Sequence, residues 1–309
     1  MPMVPRVSGL TALERMERVA EHRTMARIPF SEILVPLGGR TANLRALTFA
    51  DHLAHRLGAP VRIVSNVERD GNVRQRRELI TQQLDNLGIN VLGIELRQCD
   101  SVADALNDVA TTGSVVVMAA SAVSAIGSLL LGTDTAEVLS YSTAPVIAIG
   151  PHCQRDVEIA NVVISVDGSE ESEYAAALAG ELTGALGADV TVLQVVSPDV
   201  SLPADLSEMS LVRQIATAVP TVGLKNWDVA HSTHPAPAIV DVASHIPGSL
   251  IAVGSRGMDR MHQVLFGSTT RRLIATSPVP VLVVVMHPEH KHAVLIDLAK
   301  GYREVPFLA

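Results

Sequence analysis

Short, continuous apolar runs alternate with helix-period stretches along most of the chain. In the second half these runs are VVISV (162–166), VTVLQVV (190–196), SLIAVG (249–254) and PVLVVV (280–285). Nearly unbroken runs of Val, Leu and Ile are what strands buried on both faces of a parallel sheet require. Between the first two lies an Ala-rich helix, Ser172 to Leu186, made of strong helix formers and closed by Gly187 at a C-cap position. A helical stretch near 204–218, a strand around WDVAH (227–231), a helix from Pro235–Ala238 to His245 and a last helix over Ser268–Thr276 complete the pattern. Each half thus reads as five strands alternating with four helices, the signature of βαβ units.

The pattern occurs twice. With Ile33 set against Val162, Gly39 falls on Gly168, Ala46 on Ala175, Ala50 on Ala179 and Leu53 on Leu182 at one constant offset. Leu57-Gly58-Ala59 then falls on Leu186-Gly187-Ala188. Nearer the end of each half, Gly132 falls on Gly267 and Pro145 on Pro280 at a slightly larger offset, so one length change separates the two blocks. The first half also carries a longer, charged helix over 73–88. The expected fold is α/β, with two tandem, doubly wound, parallel five-stranded sheets of Rossmann-like order 3-2-1-4-5. The expected organisation is an N-terminal helical extension (1–26), a first domain (27–152), a second domain (157–286) and a C-terminal tail (287–309). In that order the topological switch point lies between strands one and four. Asp167 at the end of strand one and Gly254 at the end of strand four would meet there.

Composition narrows the picture. The chain has 309 residues, 48% hydrophobic and only 3% aromatic, so Val, Leu, Ile and Ala must fill the cores. A formal net charge of −8 argues against general nucleic-acid binding, which needs a basic surface. It leaves room for a small anion held by backbone N–H groups. Cys99 and Cys153 match neither a disulfide framework nor a zinc pattern and read as reduced thiols of a cytoplasmic protein. The uncharged run from Thr111 to Thr133 is about as long as a membrane span. Its four serines, three glycines and natural division into strand, loop and helix start argue for a soluble segment instead.

The chemistry gathers after strand four of the second half. Gly254-Ser255-Arg256-Gly257 is followed, nine residues on, by Gly267-Ser268-Thr269. Glycines let a backbone approach phosphates, and Gly267-Ser268 stands where the last helix begins, so free N–H groups and the helix dipole face any bound anion. The hydroxyls of Ser268 and Thr269 can cap that helix or donate to a phosphate oxygen.

This spacing resembles the ATP-binding signature of the universal stress protein family. The resemblance covers roughly 27–150 and 157–286 and extends to VDGS (166–169), HPAPAIVDVA (234–243), VGSRG (253–257) and SPVPVLVV (277–284). It implies a tandem arrangement whose halves pair through strand five about a pseudo-two-fold. It implies ATP, with a divalent ion such as Mg2+. Asp167, with Gly168 and Ser169 beside it, would contact the nucleoside, Val195 or Val196 would line the adenine pocket, and Gly254, Gly257, Gly267 and Ser268 would hold phosphates. Thr269 belongs to the same turn, and Arg256 could add a charge or stand as a solvated arginine.

The first half departs from the pattern. Gly38, Ala119 and Ala122 stand where Asp167, Gly254 and Gly257 stand, and only Gly132-Thr133 keeps the end of the loop. That half is expected not to bind ATP. There is no P-loop and no dinucleotide fingerprint. His287, His290 and His292 read as a solvated tail rather than a metal site, and His231 and His234 as capping or surface residues. No catalytic constellation is legible. The leading expectation is an ATP-binding regulatory protein of the stress response, with weak ATPase activity at most, acting on a protein partner and able to form homodimers. Two readings stand beside it: an enzyme that hydrolyses or transfers from ATP on the same fold, and an interaction module that needs no nucleotide.

Overall fold

The computed structural model describes residues 30–38, 44–111, 113–125, 128–154, 158–198, 212, 213, 215–217, 219, 223–256 and 267–286. The segments 1–26 and 287–309 lie outside these, as does most of the helical stretch expected near 204–218. The first half contains β1 (Glu32–Pro36), α1 (Leu44–Leu57), β2 (Val61–Val67), α2 (Val73–Leu87), β3 (Gly93–Gln98), α3 (Val102–Asn107) and β4 (Ser114–Ala119). A hairpin of β5 (Ala122–Ala125) and β6 (Ser128–Leu131) follows, then α4 (Thr133–Tyr141) and β7 (Val146–Ile149). The second half contains β8 (Asn161–Val166), α5 (Glu170–Leu186), β9 (Asp189–Val196), β10 (Lys225–His231), α6 (Pro235–His245), β11 (Ser249–Arg256), α7 (Ser268–Thr276) and β12 (Val281–Met286).

Two five-stranded sheets, with the halves paired through strand five, were expected. The structure has a single ten-stranded sheet, in the order β10-β9-β8-β11-β12-β7-β4-β1-β2-β3. Neighbours are parallel throughout except at the centre, where β12 and β7 pair antiparallel with Leu282 opposite Ile147. The physical reason lies in the strands themselves. β7 and β12 are buried along their whole length, and a bare apolar edge of that kind must be covered. Pairing them satisfies both edges at once and merges the sheets.

An antiparallel joint within one sheet keeps equivalent faces on the same side. One face carries α1 and α2 from the first half and α5 from the second, in a single cluster that includes Leu47, Ile147, Leu178 and Leu282. The other carries α3, α4, α6 and α7, in a cluster that includes Leu106, Val146, Ile239, Leu273 and Val283. Both cores are therefore continuous across the joint. Polar ties support it: Arg56 donates to the carbonyl of Leu186 at 2.6 Å, where the dipole of α5 favours a cation, and to Glu158 at 2.8 Å. Arg45 donates to the carbonyl of Pro151 at 2.9 Å.

The uncharged run Thr111–Thr133 divides differently from the expected strand, loop and helix start. Its first part is β4, buried from Ser114 to Met118. The expected loop contains the β5–β6 hairpin, whose second strand packs against α7 of the other half. The run is apolar because it crosses the sheet and then meets a helix. Among the described residues no helix is long and apolar enough to cross a membrane.

Because the cores are shared, urea should unfold the chain in one cooperative transition. Leu282→Ala, which empties a fully buried position beside the joint, should lower stability by about 2–5 kcal/mol without splitting that transition. Two resolved transitions, with the first half unaffected by the substitution, would show the halves to be independent.

Candidate functional site

Within the second half the sheet runs β10-β9-β8-β11-β12, so chain connections depart in opposite directions from β8 and leave a crevice outside the carboxyl ends of β8 and β11. The antiparallel joint points the corresponding crevice of the first half the opposite way.

Asp167 leaves β8 and is followed by Gly168 at φ 81°, a left-handed conformation that favours glycine, and by Ser169, the N-cap of α5. The turn is held by its own hydrogen bonds. Asp167 Oδ1 accepts from the N–H of Ser169 at 3.0 Å and from its hydroxyl. Ser169 Oγ accepts from the N–H of Ser172 at 3.2 Å, and Ser172 Oγ accepts from the N–H of Asp167 at 3.3 Å. Partial burial alone would raise the pKa of Asp167, but the hydrogen bonds from Ser169 and Ser172 outweigh it and hold the carboxyl below its ordinary value. The side chain is still exposed to the crevice. Register brings β9 alongside, with Gln194 opposite Val166. Val195 is thereby half-buried and Val196 buried at the same level of the sheet, next to β10.

Gly254 differs from expectation. It lies inside β11, opposite Val284, and the strand continues through Ser255 to Arg256. Its lack of a side chain already has a reason in the protein: a β-carbon there would collide with the carbonyl of Glu171 in the first turn of α5. The glycine lets that helix start close against the strand, and so fixes the Asp167 turn relative to β11. The side chain of Arg256 and all of Gly257 lie outside the described residues.

Gly267 behaves in the opposite way. It is the N-cap of α7, exposed, with no side-chain cap, and a β-carbon there would meet nothing within 4 Å. Its φ of −54° suits any residue. Ser268 and Thr269 occupy the first helical turn rather than the cap, and that turn holds no acidic residue. The turn therefore presents free N–H groups to the crevice with no side chain of its own on them. At the end of β11, Ser255 is 4% exposed and its hydroxyl has no hydrogen-bond partner among the described residues. Buried hydroxyls are rarely left so, and an orphan beside a ligand crevice marks where a ligand atom could complete it. Sequence reasoning passed over Ser255. Its signal was the repeat, which sets it against apolar Ala120. Gln194 Oε1 and Asn161 Oδ1 are likewise unpartnered; Gln194 is near the crevice, Asn161 at the far end of β8.

A second cavity, about 390 Å³, lies between the halves at the other end of α1, lined by Phe49, Leu53, Arg56, Ile159 and Leu186. It is mostly apolar and gathers none of the residues above.

Ser169→Ala should raise the pKa of Asp167 toward the usual carboxylate value, as read by NMR titration. It should also cost roughly 1 kcal/mol of stability through loss of the cap. A depressed carboxylate stabilises the fold above its unfolded-state pKa and loses that contribution as pH falls through the folded value. The part of the loss due to Asp167 should therefore be present at neutral pH and fade in acid, leaving the capping part. An unchanged titration of Asp167 would refute the assigned hydrogen bonds.

Comparison with known proteins agrees with this architecture. The model of the Universal stress protein family matches residues 158–285. A universal stress protein of Mycolicibacterium smegmatis is 24% identical over 224 residues, which are 69% of this chain and 75% of that protein. One of Thermus aquaticus is 28% identical over 134 residues, 40% of this chain and 96% of its own length. In fold, the crystal structure of a universal stress protein from Archaeoglobus fulgidus superposes with a TM-score of 0.59, covering 82% of this chain and 98% of that one at 17% identity. Residues 158–285 of this chain form a Universal stress protein family domain.

Proposed function

We propose that this chain is a stress-response regulator whose second half binds ATP, with little or no turnover. The observation that carries the reading is the first turn of α7: a glycine cap with no described atom near its β-carbon position, no acidic residue, and, at the end of β11, the orphan hydroxyl of Ser255. Phosphates would sit on the N–H groups of Gly267, Ser268 and Thr269, where the helix dipole favours negative charge. Asp167 and its turn of Gly168 and Ser169 would face the ribose, with Val195 and Val196 against the base. Gly254 would serve by holding α5 close, and Arg256 and Gly257 would complete the loop. Among the described residues no group of three or more His, Cys, Asp or Glu could hold a metal, so Mg2+ would ride on the phosphates. Asp167 is a poor general base, because Oδ1 already accepts two hydrogen bonds from Ser169 and the pKa is lowered. Binding would act by favouring one of two conformations and so one set of protein partners, including a second copy of the chain.

Thermal unfolding with and without Mg-ATP tests this. At about 100 times its dissociation constant the nucleotide should add roughly 2.7 kcal/mol. Gly267→Ala should change the stability of the unliganded protein by less than about 1 kcal/mol, since alanine caps a helix less well than glycine but restricts the unfolded chain more. The same substitution should abolish the nucleotide shift, as should Asp167→Ala. Gly254→Ala should instead destabilise the unliganded protein by about 1–3 kcal/mol. No shift in the wild type would refute ATP binding, rapid phosphate release would establish an enzyme, and a shift surviving both site substitutions would place the ligand elsewhere.

A further inference from the structure

The counterpart of the first turn of α7 is the start of α4, which likewise has no side-chain cap hydrogen bond but has close neighbours. Gly132 is the N-cap there, as Gly267 is for α7, yet a β-carbon on Gly132 would run into the hydroxyl of Ser121. The N–H of Gly132 donates to the carbonyl of Ser121 at 2.9 Å, and the hydroxyl of Thr135 accepts from the N–H of Ser121 at 3.2 Å. The residue two past the cap is Thr269 in the second half and Asp134 in the first. Asp134 lies against Gly38: a β-carbon on Gly38 would be 2.5 Å from Asp134 Oδ2. Gly38 is the residue at the position of Asp167. The carboxylate has thus changed sides. The second half carries it on the strand-one loop and leaves the helix turn open, whereas the first half carries it on the helix turn, over a bare strand-one loop.

At the end of β1 the described groups are satisfied internally. Arg76 donates to the carbonyl of Leu37 at 2.7 Å and to the hydroxyl of Ser65 at 2.9 Å, so the end of β1 already has its cation. Burial lowers the pKa of that guanidinium. Ala120 replaces Ser255 and leaves no hydroxyl to complete.

We infer that Asp134, seated on Gly38, is the residue that excludes phosphate from the first half and so decides which half takes the nucleotide. A resident carboxylate is favourable at a helix N-terminus and repels an incoming anion at the same spot. The assignment of selectivity rests on the nucleotide reading of the second half; the placement of the Asp134 carboxylate in the first turn of α4, against Gly38, does not.

Exchanging the residues tests it. Hydrogen exchange at 133–136 and 268–271 would be followed with Mg-ATP and, separately, with inorganic phosphate. In the wild type, protection should appear at 268–271 and not at 133–136. Thr269→Asp should weaken Mg-ATP binding at least about tenfold, since like charges would be juxtaposed, while the neutral isostere Thr269→Asn should stay within about twofold. Asp134→Asn and Asp134→Thr should create phosphate-dependent protection at 133–136. Protection of 133–136 in the wild type, or equal binding by Thr269→Asp and Thr269→Asn, would overturn the inference. If the wild type bound no nucleotide anywhere, the nucleotide reading would fall. The phosphate arm would still decide the role of Asp134: protection at 133–136 in Asp134→Asn alone would support it, and its absence there would overturn it.

Discussion

The antiparallel pairing of β7 with β12 is the constraint from which the rest of the molecule follows. Each half, taken alone, would end its sheet in a buried apolar edge with unpaired backbone groups. Joining the edges removes both liabilities and continues each helical layer across the centre, so that neither core closes without the other. The same joint sets the two crevices at opposite ends of the sheet. It also brings the β5–β6 hairpin of the first half onto α7 of the second. The helix that presents the open turn is thus braced by the half whose own turn is filled.

Glycine conservatism between a structural and a ligand role cannot be judged from spacing alone, and this chain shows why. Gly254 and Gly267 belong to one motif, yet they answer to different neighbours. Gly254 yields to the carbonyl of Glu171, so its side chain is excluded by the protein. Gly267 has no described atom within 4 Å of where a β-carbon would stand. The first glycine sets the geometry of the crevice and the second leaves it accessible. In the first half the equivalent of Gly254 is Ala119, which shows that the two halves do not bring helix and strand together identically.

Much of the fold was legible because it depends on local pattern. The helix expected over Ser172–Leu186 begins at Glu170, and Gly187 closes it at φ 63°. The last helix spans Ser268–Thr276 as its sequence indicates. What stayed hidden depends on tertiary contact. AVSAIGSLLL has no clean alternation, and it becomes a hairpin on α7 only in the folded chain. The extension of β11 through Arg256 comes from continued pairing with β12, while the local sequence, rich in Gly and Ser, reads as a loop. Of the candidate site, Asp167, its turn and the start of α7 were visible. Ser255 was not, because a serine becomes an orphan only when its surroundings are known to be apolar. Asp134 was not, because an acidic residue in a first helical turn is commonplace until its carboxylate is found against Gly38.

That pair gives the asymmetry of the chain a physical basis beyond lost glycines. A repeat that had merely decayed would leave an open, unfilled crevice lined by unpaired groups. In the first half the groups at the crevice are paired: Gly132 with Ser121, Ser121 with Thr135, Leu37 and Ser65 with Arg76. Self-satisfaction of this kind stabilises a half without a ligand, whereas an orphan hydroxyl leaves room for one to add stability. Since both halves share continuous cores, a ligand bound as proposed in the second half would stabilise the first as well.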